Sequence, residues 1–190
     1  METKNIMIVG VGGQGTLLAS KMLGQLFLMK GFDVKVSEVH GMSQRGGSVV
    51  TYVRYGDDVA SPLIEKGEAD YIVSFELLEA ARWLPFLKKD GKLVTNTQQM
   101  NPMPVITGAA QYPENLVEKM RAQGADVDAM DCLEVAEKAG SAKAVNIVLM
   151  GRLSRYFDFS TEDWLQALEA VVPEKFLEMN REAFRMGRAE

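Results

Sequence analysis

The order of apolar and polar positions divides this chain into alternating strands and helices. Residues 6–11 form an apolar run of strand length that enters a glycine cluster, and residues 14–30 then repeat Leu18, Met22, Leu26 and Met29 at helical spacing. Gly31 stops that helix. Residues 33–39 read as a second strand, so strand, helix and strand predict a right-handed βαβ unit with parallel strands. Both strands then end on one edge of the sheet. Between Val39 and the next strand, 48–55, lies only the stretch from His40 to Gly47, too short for a helical crossover. The third strand is therefore expected to run antiparallel to the second, giving a mixed sheet.

Further along, residues 70–75 predict a strand and residues 76–87 a helix with Leu77, Leu78, Ala81, Leu84 and Leu87 inward, which Pro85 can bend or end. Residues 92–97 return to the sheet. With Pro102 and Pro104, residues 101–107 read as an extended edge segment. A helix from Pro113 to Gln123 is stopped by Gly124, and residues 125–130 form the last strand. Asp131 caps a short helix over 132–138. Residues 143–156 are apolar nearly all round, which predicts a buried helix or one covered by a partner. Ser160 and Asp163 open a helix whose inner face is Trp164, Leu165, Leu168 and Val171, and Pro173 begins the last, with Phe176, Leu177, Asn180 and Phe184 on one stripe. The pattern as a whole is that of an α/β protein: one Rossmann-like, three-layer domain over residues 1–190, with a mixed, mostly parallel sheet and a helical C-terminus.

Composition narrows the function classes. The chain has 190 residues, 47% of them hydrophobic, and a formal net charge of -5, which describes a soluble protein with one core and disfavours a nucleic acid or membrane partner. Met1 to Asn5 lead straight into the first strand, leaving no signal-peptide pattern and pointing to the cytoplasm. With one cysteine, Cys132, and one histidine, His40, the chain can build neither a cysteine-ligated iron–sulfur cluster nor a structural zinc site. Cys132 reads as a small core residue. Of the twelve methionines most sit in apolar stripes, and Met42, beside glycines, is the one expected at an interface.

The candidate chemistry lies in two glycine loops. Gly10, Gly12 and Gly15 satisfy G-x-G-x-x-G, the pattern of a βα turn in which Gly10 permits the bend, Gly12 the approach of a ligand or backbone, and Gly15 close helix packing. Gly13 and Gln14 complete the loop, and the helix N-terminus beyond it favours an anion. The same spacing serves any tight strand-to-helix junction. Thr16 stands where a P-loop has lysine, which argues against nucleotide hydrolysis. Glu38 is placed either for a ribose or as a solvated strand end, so a free-standing nicotinamide- or flavin-dependent enzyme stays open. The second loop carries Gly41, Gln44, Arg45, Gly46 and Gly47, where Arg45 can clamp a phosphate or carboxylate or lie in solvent. His40 has no nucleophile at a recognisable spacing. Since the first two strands end together, both loops are expected to line one concave, electropositive surface.

Residues 10–15, residues 40–48 and the terminal stretch from Asn180 to Gly187 together resemble the gamma-type subunit of 2-oxoacid:ferredoxin oxidoreductases, and among these the beta subunit of indolepyruvate ferredoxin oxidoreductases. The resemblance covers nearly the whole chain. It implies a complex that oxidatively decarboxylates a 2-oxoacid to acyl-CoA, with thiamine diphosphate and iron–sulfur clusters in a partner alpha-type subunit and ferredoxin as acceptor. Consistent with that, this sequence has neither the thiamine diphosphate motif nor a ferredoxin cysteine run. The resemblance leaves to this chain no catalytic residue and no metal. It implies packing on the partner and help in holding coenzyme A, through Arg45 and the loop at Gly10.

Overall fold

Apolar on both faces, β1 (Lys4–Val11) lies inside a six-stranded sheet. The computed structural model describes residues 1–39 and 47–189. After β1 come α1 (Thr16–Met29), β2 (Asp33–Val39), β3 (Ser48–Gly56), β4 (Ala69–Ser74), α2 (Leu77–Trp83) and β5 (Leu87–Asn96). Then follow α3 (Met103–Ile106), α4 (Leu116–Ala122), β6 (Asp126–Met130), α5 (Cys132–Lys138), α6 (Val145–Leu153), α7 (Thr161–Val171) and α8 (Leu177–Ala189). The strand order is β2-β3-β1-β4-β5-β6; β3 is antiparallel to both its neighbours, and every other pair is parallel.

Alternation along the strands sorts the core into two layers. Ile6 and Ile8 turn toward α1, α6, α7 and α8, while Met7 and Val9 turn toward α2 and α4. This is the three-layer, mixed architecture the apolar pattern predicts. β1 and β2 do point the same way, but they are not neighbours. β3 is inserted between them, pairing Ile6 with Val53 on one side and Val36 with the same Val53 on the other.

Local details differ from the apolar pattern at several places. The helix after β4 stops at Trp83, and Pro85 sits in a short 3-10 turn, Leu84–Phe86, before the chain re-enters the sheet at Leu87. Residues 101–107 are not an extended edge. Pro102 is the N-cap and Pro104 lies in the first turn of α3, where a proline costs no hydrogen bond. Pro113 lies ahead of α4, whose N-cap is Asn115 in a left-handed conformation. The buried helix expected over 143–156 is α6 flanked by 3-10 turns at Ala142–Ala144 and Ser154–Tyr156. Ser160 and Asp163 form the expected capping box, but Phe176 is 46% exposed rather than on the inner stripe.

Beside α6, Asp128 on β6 holds a bidentate carboxylate–guanidinium pair, to Arg152 at 2.7 and 2.9 Å, and accepts from the Tyr156 hydroxyl at 2.5 Å. Burial pushes the Asp128 carboxyl up, but the Arg152 and Tyr156 hydrogen bonds outweigh it and hold the carboxyl below its ordinary value. A carboxyl lowered by folding contributes stability above its unfolded pKa of about 3.9, and loses it as pH falls through the folded value. Asp128→Asn is therefore expected to lower the unfolding free energy by about 2 kcal/mol at neutral pH, because it leaves Arg152 facing a neutral acceptor. Urea unfolding checks this: the gap between variant and parent should narrow as the pH is taken below about 4.

Candidate functional site at the carboxyl edge of the sheet

β1, β4 and β5 end on one edge, where β3 begins, since Val11 pairs with Ser48. On that edge the Gly12 N–H donates to the Gly47 carbonyl at 2.9 Å, so the loop after β1 touches the last residue of the second glycine loop. The contact continues the antiparallel pairing of β1 with β3. His40, Met42, Gln44, Arg45 and Gly46 lie outside the described residues.

The glycines act differently from the simple motif reading. Gly10 does not make the bend: it pairs with Val49 inside β1, and a Cβ there would meet Gln14 Oε1 at 2.8 Å and Phe75 Cβ at 3.0 Å. Its absent side chain lets Gln14 fold back. The turn itself is made by Gly13 and Gly15, at φ of 99° and 86°. Gly15 gives room not to the sheet but to Asn146 on α6, whose Nδ2 would lie 2.6 Å from an added Cβ. A Cβ added at Gly13 would meet none of the described residues within 4 Å.

Gln14 then closes the loop onto two more strands. Its Oε1 accepts from the Val11 N–H at 2.7 Å, and its Nε2 donates to the Phe75 carbonyl at 3.1 Å and to Gln98 Oε1 at 3.4 Å. Asn96, buried at the end of β5, donates to the same Phe75 carbonyl and accepts from the Cys132 N–H at 3.1 Å. A side-chain amide lattice thus ties the ends of β1, β4 and β5 beneath the loop. Because α1 runs from β1 to one face and α2 from β4 to the other, this is also where the connections part, the position at which open α/β sheets bind ligands.

Electrostatics divide the edge by face. On the α1 side the helix begins at Gly15 with no side-chain cap and no acid in its first turn, which leaves its N–H groups for an anion. On the α2 side stand two buried carboxylates. Glu76 caps α2 through the Glu79 N–H at 2.8 Å and also accepts from the Met100 N–H at 3.0 Å and the Tyr112 hydroxyl at 2.5 Å. Burial, then this bond, pushes the Tyr112 hydroxyl far up. Glu79 accepts from the Ser48 hydroxyl, from Arg82 Nε at 3.0 Å and from the Trp83 indole at 3.3 Å. With both acids satisfied by the chain itself, this side holds the start of β3 and the loop at Met100 in place. Glu76 and Glu79 thus place negative charge on the α2 side, and the uncapped start of α1 is where the described edge suits a phosphate.

Sequence reasoning missed Asn96, Gln98, Asn146, Glu76 and Glu79. The polar run 95–99 closing an apolar strand, and a lone Asn in an otherwise apolar helix, were the available signals. Glu38 accepts from the Ser20 hydroxyl of α1 at 3.1 Å. Cys132 is fully buried, and burial pushes its thiol up to about 12. Among the described residues no group of three or more His, Cys, Asp and Glu is placed to hold a metal ion.

Against known proteins, residues 5–190 match the family model for pyruvate ferredoxin/flavodoxin oxidoreductase. The chain belongs to that family. Among its curated relatives are the indolepyruvate oxidoreductase subunits IorB of Thermococcus kodakarensis and of Pyrococcus horikoshii, each 42% identical over 98% of this chain and 95% of their own length. The fold is that of the pyruvate oxidoreductase subunit PORC of Thermotoga maritima, with a TM-score of 0.77 at 22% identity over 100% of this chain and 97% of that one. It also recurs, with a TM-score of 0.74 at 19% identity, in 31% of a chain of the 2-oxoglutarate:ferredoxin oxidoreductase of Magnetococcus marinus, solved with 2-oxoglutarate, coenzyme A and succinyl-CoA bound. The family is thus one of oxidoreductase subunits, in keeping with the resemblance the two glycine loops and the C-terminal stretch carry. Among the described residues of this family member, no helix is long and apolar enough to cross a membrane.

Proposed function

We propose that this chain is the non-redox subunit of an indolepyruvate-type 2-oxoacid:ferredoxin oxidoreductase, with residues 1–190 as one gamma-type domain. The observation that carries this is the 42% identity to IorB subunits across 98% of the chain. In the assembled enzyme a partner subunit carries thiamine diphosphate and the iron–sulfur clusters. The aromatic 2-oxoacid loses carbon dioxide there, its acyl group passes to coenzyme A, and the electrons released go to ferredoxin.

This chain supplies a surface for the partner and, at its glycine edge, part of the coenzyme A site. The fit rests on the uncapped start of α1, the open space at Gly13 and the Gly12 to Gly47 contact. Gly12, Gly13 and Gly15 would let a phosphate reach the backbone N–H groups, with Gln14 fixing the loop's shape. Gln44, Arg45, Gly46 and Gly47 would complete the cradle. That a protein of the same fold binds coenzyme A supports the assignment.

The purified chain alone should then show no 2-oxoacid-dependent reduction of a viologen dye, and activity should appear on adding the thiamine-bearing subunit. Turnover by the chain free of any partner would overturn the reading.

A further inference from the structure

At the opposite end of the sheet from the glycine edge lies a cleft of about 760 Å³, walled by the end of α2, the start of β5 and α4. That volume falls in the range of small-molecule sites, about 300–1,000 Å³. Leu84, Leu87, Leu116 and Met120 are apolar residues of its lining. Lys89 from β5 and Lys119 from α4 stand at its margin, in a protein whose net charge is -5. Neighbouring lysines are already neutralised, Lys88 by Asp70 at 3.3 Å and Lys92 by Asp126 at 2.7 Å. Lys89 and Lys119 have no ion-pair partner among the described residues. Asp90 and Asp126 also border the cleft, the latter paired with Lys92.

The strand has been reshaped here. β4 advances from Ala69 to Tyr71 while β5 advances from Leu87 to Lys92, so the intervening residues of β5 bulge out of register. Asp90 sits at φ of 65°, a conformation non-glycine residues rarely hold, and Gly91 is wedged so that a Cβ would lie 2.9 Å from the Ala69 carbonyl. Bulges of this kind re-aim side chains, and backbone held in such a state concentrates at sites that clamp ligands.

We infer that this cleft binds an organic monocarboxylate, its apolar body against the lining leucines and Met120 and its carboxylate between Lys89 and Lys119. The site is separate from the glycine edge and stands whether or not coenzyme A binds there. The test uses the full-length chain, titrated by fluorescence with naphthylacetate and with naphthylethanol, which share a ring system and differ in charge. Saturable binding of the acid is expected, with the alcohol weaker by about fivefold or more, as loss of two exposed ion pairs allows. The double variant Lys89→Gln, Lys119→Gln should bind both equally. Because both positions are on the surface, folding is not at issue. No saturable binding, equal binding of acid and alcohol by the parent chain, or a preference that survives in the double variant would each overturn the inference.

Discussion

Gly187→Ala is expected to lower the unfolding free energy by about 3 kcal/mol or more, among the largest losses a single methyl group can cause. The reason is a backbone-to-backbone crossing. A Cβ at Gly187 of α8 would lie 2.1 Å from the Val148 carbonyl oxygen of α6, and one at Gly151 of α6 would lie 2.2 Å from the Phe184 carbonyl oxygen of α8. Each helix therefore offers a glycine to the other's main chain. No rotamer change relieves such a contact, because the atoms that would have to move are carbonyls held in helical hydrogen bonds. The helices must separate, and with them the packing of Phe184 on Trp164, whose rings lie 5.9 Å apart. For a chain of this size about 3 kcal/mol corresponds to a fall of roughly 6–12 °C in the thermal midpoint. Calorimetry of the two single variants would check this; a fall of less than about 2 °C in both would show that the helices can shift at little cost.

How much of this was legible depended on whether the cause was local. The antiparallel return from β2 to β3 could be read because the connection is too short for anything else, and the Ser160 cap because donor and acceptor are three residues apart. The place of β3 between β1 and β2 could not be read. It depends on Val53 satisfying Ile6 and Val36 at once, a pairing no single segment reveals. Gly187 belongs to the stretch that carries the family resemblance, yet its physical cause lies 39 residues earlier, at Val148. At the candidate site the glycines were visible and their duties were not. Gly10 and Gly15 answer to Gln14, Phe75 and Asn146, which are brought together only by the fold. Apolar period placed the strands and most helices, though not the exposed Phe176; where side-chain amides from distant strands meet, it gave nothing.

Arg45→Ala and Gly13→Ala should each weaken coenzyme A use by the assembled enzyme, and comparing them separates ligand contact from scaffold. For Arg45 the expected loss is about 1.5–3 kcal/mol, that of a charge-assisted hydrogen bond to a phosphate, or roughly 10- to 150-fold in the KM for coenzyme A. A loop arginine adds little to the core, so the thermal midpoint of the isolated chain should stay within about 1 °C of the parent. Gly13→Ala carries a backbone penalty of about 1–2 kcal/mol, because φ is 99° there. Among the described residues the added methyl meets nothing inside 4 Å, so any effect beyond that penalty comes from a group other than these that approaches Gly13. The contrast is Gly15→Ala, which adds a contact with Asn146 to the same strain and should cost more stability. If Gly13→Ala lowers the midpoint by a few degrees and leaves the coenzyme A KM unchanged, the open space at the start of α1 has no phosphate to receive. A KM raised about tenfold or more, together with full assembly on the partner subunit, is the outcome the glycine edge predicts.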